Sequence, residues 1–268
     1  MSSLYIKKYF ENSNHYFYNN ININEYFFYT PKTKEDLRNS IVEYYEDKNK
    51  SIIKYGIMDN WDVSNITDMS GLFQCLEKFN EPIDNWDVSN VKDMSFMFFT
   101  ACSFNQSLEN WDVSNVENME CMFYYAVNFN YPIEKWNVSN VTNMDSMFFY
   151  AKKFNHPIGN WNVSKVINME RMFYDANSFN QPLNNWDVSN VTNMIFMFYY
   201  AENFNQPLNN WDVSNVENME GMFYSAVNFN QDLNNWNIRN VMNMKYIFFN
   251  TKINFLMINW NIVGKDLF

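Results

Sequence analysis

Few residues in this 268-residue chain are equipped for chemistry, and their spacing limits what that chemistry could be. There are only two histidines, His15 and His156; one lies in the N-terminal segment and the other inside a repeated stretch, so no histidine-based triad or metal cluster is indicated. Cys75, Cys102 and Cys121 form no CxxC pair, and an odd count leaves at least one thiol free, which fits a reducing compartment. The five glycines are scattered and build no phosphate-cradling loop. Asp62, Asp87, Asp112, Asp187 and Asp212 recur in a column that Asn137 and Asn162 interrupt. Such a column could offer oxygens to Ca²⁺, but its spacing matches no calcium-loop motif, and turn or capping duty is the simpler reading. The expectation is no catalytic residue, no metal, no cofactor and no enzyme.

The sharper signal is aromatic. Phe99, Tyr124, Phe149, Tyr174, Tyr199, Tyr224 and Phe249 follow one another at intervals of 25 residues. Phe96, Tyr125, Tyr150, Phe196, Tyr200 and Tyr246 widen the stripe. Two readings stay open. Each ring could lean onto the neighbouring unit as a half-buried spacer, or the stripe could dock a partner, since extended exposed apolar patches mark interaction sites.

The elements that place these rings follow from the tryptophans. Trp61, Trp86, Trp111, Trp136, Trp161, Trp186, Trp211 and Trp236 are 25 residues apart, and Trp260 follows after 24. Counting from each Trp as position 1, apolar residues fall at positions 1, 3, 6, 9, 12, 13, 16, 19 and 23, as in Trp186, Val188, Val191, Met194, Met197, Phe198, Ala201, Phe204 and Leu208. Positions 9, 12, 13 and 16 keep the spacing of one helix face, which predicts about two helical turns over Met194 to Ala201. Trp186-Asp187-Val188 alternates as a short strand would. One such unit cannot enclose its large side chains alone, so the units must stack. The expected fold class is an α/β repeat solenoid, leucine-rich-repeat-like, with short parallel strands on one face and short helices on another. The Asn at position 20, from Asn80 to Asn230, is expected to form a ladder that satisfies backbone groups at a corner. Ser at position 4 and Asn or Lys at position 5 are expected to make the turn after the strand, and Asp or Asn at position 8 to cap the helix.

Residues 1–60 lack the repeat and read as an N-terminal cap with one amphipathic helix. Residues 61–260 hold eight repeats, and 261–268 are a truncated C-terminal end. Phe27, Phe28 and Tyr29 suggest a strand in the cap, and the first 20 residues read as loose. Thr33 with Asp36 resembles a capping box ahead of Leu37, Ile41 and Tyr45, and Gly56 is placed to end a helix.

The net charge of −11 belongs to the repeats, because residues 1–60 hold eight basic and eight acidic side chains. That acidity opposes nucleic-acid partners, whose binding depends on basic residues. The N-terminus shows no signal-peptide pattern and no apolar run is long enough to span a bilayer, so a soluble, intracellular chain without membrane insertion is expected.

The stretch Phe179 to Ala201, FNQPLNNWDVSNVTNMIFMFYYA, resembles the signature of the BspA-type leucine-rich-repeat surface proteins; the resemblance covers residues 61–260 and, through Pro31-Lys-Thr-Lys-Glu-Asp-Leu and Tyr55-Gly-Ile-Met-Asp-Asn-Trp, the cap as well. The resemblance implies a right-handed leucine-rich-repeat-like solenoid and a role in attachment or protein interaction. The functional expectation is therefore a non-catalytic scaffold whose seven rings, Phe99 to Phe249, bind a protein partner. Self-association into a particle or fibre is the alternative.

Overall fold

The computed structural model of the chain describes residues 29–254 and 258–260. The strand suggested at Phe27 and Phe28, the loose first 20 residues and the C-terminal end at 261–268 lie outside the described residues.

Two helices precede the repeats. α1 (Lys34–Glu46) starts at Thr33, whose side chain accepts the Asp36 N–H at 3.1 Å, and it buries Leu37, Ile41 and Tyr44. The expected inward residue Tyr45 is instead 37 % exposed, because two turns of 3.6 residues bring position 44 rather than 45 into line with Leu37. α2 (Lys48–Tyr55) ends at Gly56, which adopts the positive φ of 75° that glycine tolerates. A 3-10 turn over Met58–Asn60 leads into Trp61.

The 25-residue units stack as coils in one register, but they are not built as expected. The α/β, leucine-rich-repeat-like solenoid of parallel strands and short helices is contradicted: among the described residues there is no strand, and the only α-helices are α1 and α2. Trp186-Asp187-Val188 forms no ladder, and Met194 to Ala201 form no helix. The hydrogen bonds give the reason. In the second coil the N–H groups of Met97, Phe99 and Ala101 donate three residues back, to Met94, Phe96 and Phe98. The alternate N–H groups, of Met94, Phe96, Phe98 and Thr100, donate to carbonyls of the next coil, at Asn118, Glu120, Met122 and Tyr124, over 2.7–3.0 Å. A helix would use all these donors along its own axis. Here half of them hold the coils together, leaving only single parallel bridges between residues at position 8, from Asp68↔Asp93 to Asn218↔Asn243.

That alternation requires positions 11 and 15 to sit at positive φ. Fourteen non-glycine residues do so, including Cys121, Tyr125, Arg171 and Tyr200, with Gly71 and Gly221 filling position 11 in two coils. Each non-glycine case costs on the order of 1 kcal/mol, and the N–H thereby aimed outward gains an inter-coil hydrogen bond in coils one to seven.

Aromatic columns fill the interior. Phe148 stacks on Phe123 and Phe173 of the adjacent coils, both at 5.7 Å, and on Phe154 of its own coil at 4.1 Å. The position-19 rings stack from coil to coil, 6.0 Å apart for both Phe104–Phe129 and Phe154–Phe179. Every tryptophan from Trp61 to Trp260 is buried. Each indole N–H from Trp86 onward donates to a carbonyl one coil below, as Trp136 does to Leu108 at 3.0 Å. Trp61 has no coil below it, and its buried Nε1 finds no partner. The ladder at position 20 forms: the side-chain oxygen of each Asn accepts the N–H of the Asn one coil on, from Asn105 on Asn80 to Asn230 on Asn205.

Candidate interaction face

The residues that could do chemistry are spread along the stack, most of them on local structural tasks. Asp62, Asp87 and Asp187 each accept both the N–H and the hydroxyl of the serine two residues on. Those bonds hold the Asp87 and Asp212 carboxyls below the usual range. Asp or Asn at position 8 likewise accepts the N–H two residues later, a turn rather than the expected helix cap. His156 places its Nε2 3.0 Å from the Asn130 carbonyl and its ring beside Phe154. Among the described residues, no three His, Cys, Asp or Glu side chains gather as a metal site.

The seven rings come together. Phe99, Tyr124, Phe149, Tyr174, Tyr199, Tyr224 and Phe249 form one outward column, centroid to centroid at 4.3–4.7 Å with planes within 16°. The position-14 side chain leaves the coil between two inter-coil donors, so the backbone ladder fixes where each ring stands. Six of the rings are half-buried against one another, and Phe249, on the last coil, is 53 % exposed. Burial raises the hydroxyls of Tyr124, Tyr174 and Tyr199, and Tyr199, between Tyr174 and Tyr224, is pushed up to about 12. Flanking rings broaden the column: Tyr125 stacks on Tyr150 at 4.1 Å, Phe196 meets Tyr199 edge-on at 5.2 Å, and Tyr200 is 40 % exposed.

Sequence reasoning missed the column beside it at position 10. Glu120, Asp145, Glu170 and Glu220 stand along the same face, and three of them accept an amide from the next coil, as Glu170 does from Asn193 at 2.8 Å. Burial first, and the neighbouring carboxylates second, push Glu120 up; burial and Glu170 do the same to Asp145. The only sequence signal for this column was four acids at one repeat position, in coils where other copies carry Ser, Ile or Lys. Cys121, at position 11 between these columns, is buried and its thiol is pushed up to about 12.

The chain matches the family described as "Mycoplasma protein of unknown function, DUF285" over residues 36–160, 108–193 and 149–260. These matches cover most of the chain, and it belongs to that family. No curated protein matches it. No solved structure matches it either. No helix among the described residues is long and apolar enough to cross a membrane.

Proposed function

We propose that this chain is a non-catalytic scaffold or attachment protein that binds a protein partner along its ring column, Phe99 to Phe249. The observation that carries the reading is the column itself: seven coaxial rings, half-exposed, on a support whose every coil is fixed to the next by backbone hydrogen bonds. Rings already held in place lose little freedom on binding, and aromatic side chains dominate interface hot spots. The resemblance to BspA-type surface proteins supports attachment or protein interaction. The dispersal of the titratable groups into columns with turn and ladder duties supports a role other than catalysis. The acidic repeats favour a protein over nucleic acid.

The test is affinity capture with the wild type and a Tyr174→Ser/Tyr199→Ser variant. The proposal expects a protein held by the wild type and lost by the variant. Equal capture by both folded proteins overturns it. Self-association has its own observation: Met242, Tyr246 and Phe249 on the last coil are 73, 47 and 53 % exposed. Light scattering over a concentration series tests it, and a constant monomer mass rejects it.

A further inference from the structure

The face offers charge as well as rings, and its own cations show how it takes a positive group. Arg171 lies 2.6 Å from Glu170 and 6.0 Å from the Phe196 ring centroid. Lys152, one column over, lies 2.6 Å from Asp175 and 4.0 Å from the Tyr150 centroid. Each cation is held between a carboxylate and an aromatic ring, the arrangement in which Coulomb and cation–π attraction add. Those two side chains leave most of the acid on the face uncompensated. Positions 10, 11, 14 and 15 of coils two to eight, which carry the ring column, hold five carboxylates, Glu120, Asp145, Glu170, Asp175 and Glu220, against two cations, Arg171 and Lys245.

We infer that the partner segment seated on the ring column is a lysine- or arginine-rich extended polypeptide. This rests on the ring column being the binding surface and names the chemistry of its occupant. Charge complementarity selects it. Basic side chains reach the position-10 carboxylates while their cationic ends pass over the rings, as the ammonium of Lys152 does over Tyr150. Acidic or uncharged segments would leave the carboxylates facing like charge or nothing. Length also fits: six ring-to-ring steps of 4.3–4.7 Å span about 27 Å, roughly eight extended residues at about 3.3 Å each.

The experiment uses fluorescein-labelled decalysine as the probe and anisotropy as the readout, with decaglutamate as a control. Two charge variants lose the same net charge. One is Glu120→Gln/Asp145→Asn/Glu170→Gln on the face; the other is Asp112→Asn/Asp187→Asn/Asp212→Asn at position 2, where Asn137, Asn162 and Asn237 already serve. The expected result is decalysine binding that weakens about tenfold or more in the face variant and less than about twofold in the other, with loss in Tyr174→Ser/Tyr199→Ser as well. Carbodiimide cross-linking of decalysine to the unmodified protein gives a readout that needs no variant, with adducts expected at Glu120, Asp145 and Glu170. Equal weakening in both charge variants, or adducts spread over all the acidic columns, reduces the effect to net charge and overturns the inference. If decalysine fails to bind while the ring variant still loses its captured protein, the basic class falls and the binding surface stands. If decalysine binds the face while the ring variant keeps its captured protein, the surface reading falls instead.

Discussion

Replacing Phe148 with alanine removes a ring from the middle of the stack. The side chain is fully buried, with rings from Phe123 and Phe173 on its two faces at 5.7 Å and Phe154 at 4.1 Å. Phe→Ala in a core costs about 3–5 kcal/mol, the spread depending on how far the site collapses. Neighbours stacked above and below in identical coils cannot move inward without breaking their own register, which places Phe148→Ala in the upper half of that range. At roughly 2–4 °C per kcal/mol for a chain of this size, the melting temperature should fall by about 8–20 °C. Phe248→Ala, in the last described coil, removes a half-buried ring stacked on Phe223 and tilted against Trp260, and should cost about half as much. Calorimetry gives both values, and amide exchange adds location. Because each coil touches only its neighbours, protection should fall first at Phe123 and Phe148, whose N–H groups donate at 2.9 Å to Met147 and Met172. A loss below about 1 kcal/mol at Phe148, or faster exchange spread evenly over all coils, would refute the stacked-column account.

Arg38→Ala should cost about 1–3 kcal/mol in a urea melt, since its guanidinium donates to the Leu72 and Gln74 carbonyls at 2.5 and 2.9 Å, where later coils receive N–H groups from the coil before; an unchanged midpoint contradicts that role. Asp145→Asn should raise the melting temperature at pH 7. Its folded-state pKa is raised, so the native state holds the proton more tightly, and ionisation lowers stability as pH rises above the ordinary aspartate value of about 3.9. The gain should vanish near pH 3.5, where the acid is protonated in both states; a gain that persists there means packing, not charge, is responsible. Alkylation of the folded protein by iodoacetamide, followed by mass spectrometry, should modify the exposed Cys75 first and the buried Cys121 last; equal rates would place Cys121 at the surface.

The repeat and its inward residues were legible because a 25-residue period needs no assumption about local structure, and the same period marked the Asn80-to-Asn230 ladder and the ring stripe. The secondary structure was not. The i, i+3, i+4, i+7 spacing of Met194, Met197, Phe198 and Ala201 is shared by a helix and by linked three-residue turns whose alternate N–H groups leave the coil. Only the destination of those donors separates the two. The left-handed residues that make the difference are Phe196 and Tyr200 here, not glycines, so the usual composition signal was missing. The Thr33 cap and the Gly56 stop were local and readable. The Arg38 contacts, across 34 and 36 residues, were not.

The most direct measurement of the central claim is hydroxyl-radical footprinting of the tyrosines, free and with the captured partner bound. Tyr124, Tyr174, Tyr199 and Tyr224 should lose reactivity on binding, while Tyr45 and Tyr131, exposed away from the ring column at 37 and 36 %, should keep theirs. Unchanged reactivity along the column, with protection at Tyr131 instead, would contradict the ring column as the binding surface.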